Sequence, residues 1–226
     1  MGVVVEAKGN QSYAISAISD YLDELGYMSM EAQLDGEPAL EALMSGVVSE
    51  RIKKLGKEAA EAQLRVRLVQ KGSHASQGGA ESGVKSVAGL ARTGRLALEK
   101  RYNMKFTQDV PVIPWMIRHQ VFCHNRYQRR RSSGRTSFEE LRLAPYTSPM
   151  LEIGETVIGK EYTELHNQLG TAWCKGMWLG RSTKSDAHLI GTATGIVQAR
   201  TVKQLTHDES FDMEIFKAMR WTPWRI

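Results

Sequence analysis

The chain has 226 residues, of which 42% are hydrophobic, so it holds enough apolar material for a folded core and is not a wholly disordered chain. No apolar run reaches the roughly 20 residues of a membrane helix, and the apolar start at residues 1–6 is too short for a signal sequence. Cys123 and Cys174 are the two cysteines, and neither forms a Cys-x-x-Cys pair, which excludes a disulfide scaffold and a cysteine-rich zinc site.

In chain order, Val3-Val4-Val5 reads as a short buried strand. Ala14, Ile15, Ile18, Tyr21, Leu22 and Leu25 recur at helical spacing, and Gly26 is placed to end that helix. Residues 28–34 alternate like a strand and stop at Asp35-Gly36-Glu37-Pro38, a turn with proline near the start of the next helix. Strand, helix and strand in this order favour a parallel βαβ unit.

Residues 39–57 read as a helix, and the Lys/Glu/Ala-rich residues 49–63 lengthen it. Residues 63–69 alternate again as a strand. Residues 71–79 are small, polar and glycine-rich, the composition of a flexible loop. A long helix is expected over residues 80–102. Val84, Val87, Ala91 and Leu98 share one of its sides, while Glu81, Lys85, Ala88, Arg92, Arg95 and Glu99 share another. A second helix is expected over residues 114–128. An arginine-rich segment follows, and then a short helix capped by Thr136 or Ser137 with Glu139 or Glu140 near its third position.

Beyond residue 146 short strands at 155–158, 175–179, 188–192 and 195–202 predict a small antiparallel β module. Residues 206–226 read as a polar tail with a short helix. The boundaries drawn from the sequence are residues 1–145, 146–205 and 206–226.

Charge is segregated. Residues 1–64 hold 5 Lys/Arg and 11 Asp/Glu, whereas residues 65–135 hold 15 Lys/Arg and 3 Asp/Glu. A block this basic points to a polyanion, most often nucleic acid, against the plainer reading of a solvated basic surface. Arg126, Arg129, Arg130, Arg131 and Arg135 concentrate it, with phosphate contact or nuclear targeting as the functional readings. Lys71, Lys85 and Arg92 extend the candidate DNA-binding set. Two carboxylates add chemistry. Asp35 closes a predicted strand, where open α/β sheets place functional groups, and Glu81 opens the long helix after the glycine loop. A carboxylate among cations suits a site for a hard metal ion and phosphate together, although a glutamate near a helix start is also favoured by the macrodipole alone. His119, Cys123 and His124 suggest zinc at first sight, but no partner pair of ligands is near them and core packing is the better reading. Trp173 and Trp178 read as core of the β module.

The sequence resembles the catalytic core of retroelement integrases of the copia type, which belong to the ribonuclease H-like DDE transferases. The matching residues are Leu34-Asp35-Gly36-Glu37-Pro38-Ala39, then Ser76-Gln77-Gly78-Gly79-Ala80-Glu81-Ser82-Gly83-Val84-Lys85, then Asn125-Arg126 and Gly134-Arg135-Thr136-Ser137-Phe138-Glu139. Ile153-Gly154-Glu155-Thr156-Val157 and Trp178-Leu179-Gly180-Arg181 resemble later parts of that family in the same order. The resemblance implies a partial ribonuclease H-like α/β core, a mixed sheet flanked by helices, followed by the small antiparallel β module. It implies that Asp35 and Glu81 are the second and third catalytic acids and ligands of Mg²⁺ or Mn²⁺, and that DNA is the partner, with homo-oligomers expected, no membrane, and a nuclear or cytoplasmic location.

Departures from the family accompany the match. Gln77-Gly78 stands where the family has Asn-Gly, and 45 residues separate the two acids. The first Asp of the triad would lie upstream of Val3, so the chain reads as an N-terminally truncated polyprotein piece with weak metal binding and little activity alone. The rival readings are a ribonuclease H-like nuclease and a non-catalytic basic nucleic-acid-binding protein.

Overall fold

The computed structural model describes residues 2–68, 74–161 and 173–225, with the side chains of residues 74–77 left aside. It is mixed α/β, with a parallel sheet and a separate antiparallel one. The chain divides into two compact units, Met1–Ser86 and Val87–Ile226.

In the first unit, α1 (Ser12–Leu25) ends as expected at Gly26, whose φ of 67° puts it in the left-handed region. Strand β1 (Met30–Leu34) leads to α2 (Pro38–Leu55), with proline in the first turn. The lengthened helix is in fact two. Gly56 has φ 83° and separates α2 from α3 (Lys57–Gln63); a side chain there would strain the backbone. Strand β2 (Leu64–Leu68) then pairs parallel to β1, Met30 opposite Leu64 through Leu34 opposite Leu68. The parallel unit is therefore β1–α2–α3–β2. The Val3–Val4–Val5 run, expected to be its first strand, is half-buried and takes no strand conformation. Among the described residues this sheet comprises two parallel strands.

Pattern explains the packing of this unit. Met30, Ala32, Leu34 and Leu64 lie on one face and join Met44, Val47, Ile15, Ile18 and Leu22 in a core. Glu31, Gln33, Arg65 and Arg67 alternate to the other face and are exposed. Arg51 of α2 is almost wholly buried and its guanidinium donates to Ser19 O at 3.3 Å, to Asp23 and to Gln63, tying three helices together.

Helix α4 (His74–Arg101) starts within the expected loop, with Gly78 and Gly79 inside it, and the division between units falls along it. Glycine costs about 1 kcal/mol per helical position relative to alanine, but a helix already formed extends for one hydrogen bond per residue. Ala91 and Leu98 of the same helix pack into the second unit's core and supply that anchored stretch. Of the side predicted to be apolar, Leu98 is buried and Val84 is exposed.

The second unit adds α5 (Val112–Tyr127), α6 (Ser137–Arg142), strands β3 (Thr156–Glu161), β4 (Trp173–Arg181), β5 (His188–Gly191) and β6 (Ile196–Gln204), and α7 (Met213–Ala218). The four strands fall where expected and close into a barrel, β3 pairing with both β4 and β6. Val157, Trp178, Ile190 and Ala199 are buried together. Closure brings backbones close. A Cβ on Gly159 would lie 2.0 Å from Ile190 Cδ1, so a side chain there would force Ile190 to shift.

Met177, Leu179 and Leu189 pack with Leu98, Trp115 and Met116 of α4 and α5. The expected polar tail is part of this core. Phe211, Met213, Ile215, Phe216 and Trp221 pack against the cluster, and Trp115 Nε1 donates to Trp221 O at 2.8 Å. Residues 87–145, grouped by sequence with the first region, likewise belong with the barrel. In the sequence the apolar residues of α4, α5 and α7 each show only their own periodicity, not the cluster they share.

Candidate functional site

Asp35 follows the carboxyl end of β1 and is exposed. Its Oδ1 accepts the backbone N–H of Glu37 at 3.1 Å, a turn that leads into α2. Beside it Lys8 Nζ pairs with Glu37 at 2.7 Å, and the hydrogen bond and charge of Glu37 raise the lysine's pKa. Glu81 is also exposed, but it does not open its helix. It is the eighth residue of α4, beyond the first turn in which the macrodipole acts. Lys85 and Arg92 are exposed further along the same helix. Lys71 lies outside the described residues. Among the described residues no group of three or more His, Cys, Asp or Glu comes together to hold a metal.

The basic block separates into used and presented charges. The buried Glu99 accepts from Arg95 and Lys105 at 2.9 Å and from the Phe106 N–H at 3.0 Å. That backbone donor first, then the two cations, bring its carboxyl down to about 2. Arg101 forms a two-pronged pair with Glu152 at 2.8 and 3.0 Å. Arg126 corrects the sequence reading most clearly. It is only 9% exposed, and its guanidinium lies 3.5 Å from the Phe122 ring centroid and within 5.1 Å of those of Phe138 and Tyr146. It is a packing residue at the end of α5, not a surface phosphate contact.

Arg129, Arg130, Arg131 and Arg135 are exposed on a hairpin between α5 and α6. A bridge joins Arg129 to Thr136, and Arg130 N donates to Arg135 O at 2.9 Å. The turn continues into the capping box of α6. Thr136 Oγ1 accepts from Glu139 N at 3.1 Å, and the Glu139 carboxylate accepts from Thr136 N at 2.6 Å. That backbone donor holds the Glu139 carboxyl below its usual range. Ser133 Oγ donates to Glu140 at 2.6 Å, and Arg130 pairs with Glu140 at 2.9 Å. Two helix ends thus hold the hairpin's base while its tip presents guanidinium groups.

His119 and Cys123 are neighbours, with Sγ 3.4 Å from Nε2. Burial lowers the imidazole to about 4 and raises the thiol to about 11. Both are uncharged near neutrality, the reverse of a thiolate–imidazolium nucleophile. Trp178 is core, as expected, and donates through Nε1 to His188 Nδ1 at 3.0 Å. Trp173, expected in the core, is 39% exposed with Lys203 Nζ 4.7 Å from its ring centroid. Its outward position follows from strand alternation, since it lies opposite exposed Lys160.

A buried polar group at the barrel escaped the sequence reading. Arg181 NH2 lies 3.2 Å from His188 Nε2 and donates to Pro149 O at 2.7 Å. Asp186 accepts from Tyr146, Ser148 and Arg181. Burial, then the Arg181 charge, lowers His188 to about 4. They come from two short segments, residues 146–149 and 181–188, and share no spacing rule. No protein-family model and no curated protein matches the chain.

Proposed function

We propose that this chain binds DNA and is the integrase-like part of a retroelement polyprotein. The observation that carries the reading is the arginine hairpin, where Arg129, Arg130, Arg131 and Arg135 stand exposed together on one short tip, whereas Arg101 is held by Glu152 and Arg126 is buried. Such a tip suits contacts to the phosphate backbone, which position a duplex without reading its sequence. Lys85 and Arg92, exposed on α4, extend the same basic character.

The catalytic part of the proposal rests on the resemblance around Asp35 and Glu81. Both are exposed carboxylates, the oxygen donors that Mg²⁺ or Mn²⁺ prefers, and the Glu37 amide fixes the Asp35 carboxylate through Oδ1. A bound ion would supply Lewis-acid activation for strand transfer. Residues 1–226 provide two of the three carboxylates that the resemblance requires, so DNA binding is the activity proposed for this chain by itself. A further copy of the chain as partner, and action in the nucleus or cytoplasm, belong to the same reading.

Binding to duplex DNA should fall steeply with salt, because each phosphate contact releases a counterion. Replacing Arg129, Arg130 and Arg131 with alanine should lower the slope of log affinity against log salt by about 3. A slope unchanged by the triple substitution removes the hairpin from the interface.

A further inference from the structure

The arginine hairpin carries two serines at its tip, and the structure treats them differently. Ser133 Oγ is engaged on both sides, donating to Glu140 at 2.6 Å and accepting from Arg135 N at 3.3 Å. Ser132 is exposed on the turn, and its hydroxyl makes no hydrogen bond among the described residues. Arg129, Arg130 and Arg131 immediately precede Ser132, and Arg135 follows three residues later.

We propose that Ser132 is a phosphorylation site for an arginine-directed serine/threonine kinase, and that its phosphate folds back onto the hairpin's own arginines. Kinases of this class read guanidinium groups two and three residues before the acceptor through carboxylates in their peptide groove, pairs whose fork geometry lysine does not reproduce. Arg130 and Arg129 occupy those two places. Seating the segment opens the backbone bonds Arg130 N to Arg135 O and Gly134 N to Arg130 O, both 2.9 Å, and releases the Arg130 guanidinium from Glu140 and Ser137 and the Arg129 guanidinium from Gly134 O, all at the surface or close to it. In the transfer, Ser132 Oγ attacks the γ-phosphorus of ATP. The new O–P bond replaces the bond to ADP, which departs, and the hydroxyl proton passes to the kinase's base.

The product places a group of charge about −1.5 to −2 with three acceptor oxygens among four arginines. Arg131 is exposed and makes no ion pair among the described residues, so it is the first partner available. Arg129 donates to a backbone carbonyl, Gly134 O at 3.2 Å, and can exchange it for phosphate. The modified hairpin then satisfies internally the groups it would offer to an outside polyanion. This last consequence rests on the DNA reading above; the modification and its internal pairing do not.

The test treats the full chain with the catalytic subunit of an arginine-directed kinase and ATP, then measures intact mass and maps the site by fragmentation. Wild type and Ser133→Ala should each take up one phosphoryl group at residue 132, and Ser132→Ala should take up none at the hairpin. Modification of Ser133 instead, or none at the hairpin, overturns the proposal. A ³¹P titration of the phosphoprotein should show the phosphate's second ionisation roughly 1 unit below its free value of about 6. Phosphoprotein carrying Arg131→Ala should show a smaller shift, and an unshifted phosphate in wild type overturns the internal pairing. Duplex binding is measured separately. Phosphorylation should reduce the salt slope by about 2, and an unmodified chain that fails to bind DNA sinks the DNA reading while leaving the ³¹P result to decide this one.

Discussion

The two compact units solve the same problem, covering a sheet, in opposite ways. In the second unit the four described strands close on themselves, so each has two ladder partners. In the first unit two parallel strands pair, among the described residues, only with each other, and at the end of β2 Val66 and Leu68 remain 42% and 56% exposed. Parallel sheets are ordinarily buried on both faces, and two strands alone are marginal. The comparison teaches that apolar content does not by itself locate stability. Closure lets Val157, Trp178 and Ile190 reach full burial, whereas β2, with a similar alternation, buries only Leu64. The first unit relies on its helices, and on one buried guanidinium, for what the barrel gains from geometry.

The sharpest way to break the comparison is to hollow the barrel. Trp178→Ala should cost about 3–5 kcal/mol, read as a lower urea midpoint for amides of β3–β6, with amides of α1 and α2 protected as before in hydrogen exchange. Equal loss in both units would show that they share one cooperative transition. Acid should separate the units next. His119 has a folded pKa of about 4 against an ordinary 6.5, so the unfolded state binds the proton first. Its contribution is full above pH 6.5, is lost as pH falls towards 4, and amounts to about 3 kcal/mol. His188 acts in the same direction. Urea midpoints of the barrel amides followed from pH 7 to 4 should fall, and His119→Gln should flatten that fall. In the first unit burial raises the Asp23 carboxyl, but the hydrogen bond and charge of Arg51, with Lys54, outweigh it and leave the pKa lowered. Its contribution therefore persists to lower pH and is lost below the ordinary carboxylate range.

A smaller effect tests the guanidinium. Arg51→Ala should destabilise the first unit by about 1–3 kcal/mol, because the Ser19 carbonyl and the Gln63 side chain lose their donor. Faster exchange confined to α1, α2 and α3 would confirm that it acts locally. Least of all should matter Leu68→Thr on the exposed end of β2, within about 0.5 kcal/mol. A loss near 2 kcal/mol there would mean that this end is covered in solution.

Much of this was legible from local pattern. The alternation of β1 and β2, the proline opening α2, the Thr136 cap and the four barrel strands all follow from residues within a few positions of one another. What escaped depended on partners distant in sequence. Val3, Val4 and Val5 have strand propensity but no ladder. Gly78 and Gly79 carry loop propensity yet lie in a helix anchored further along. For the candidate site, Asp35 is at the strand end that its sequence indicated, and Glu81 is a full two turns into its helix rather than at the start. The four exposed hairpin arginines were legible as charge. The fate of Arg126 was not, because its ring partners Phe138 and Tyr146 come from later segments.

The contacts of His188 decide where its ring proton sits. Trp178 Nε1 faces one ring nitrogen at 3.0 Å and Arg181 NH2 the other at 3.2 Å, and both of these neighbours can only donate. A neutral imidazole has one lone pair to offer, so one neighbour must go without it. Arg181 NH2 has an alternative acceptor in Pro149 O at 2.7 Å, whereas the indole has a single N–H directed at Nδ1. The lone pair therefore belongs to Nδ1 and the proton to Nε2, a tautomer that the ¹⁵N chemical shifts of this one ring would display directly.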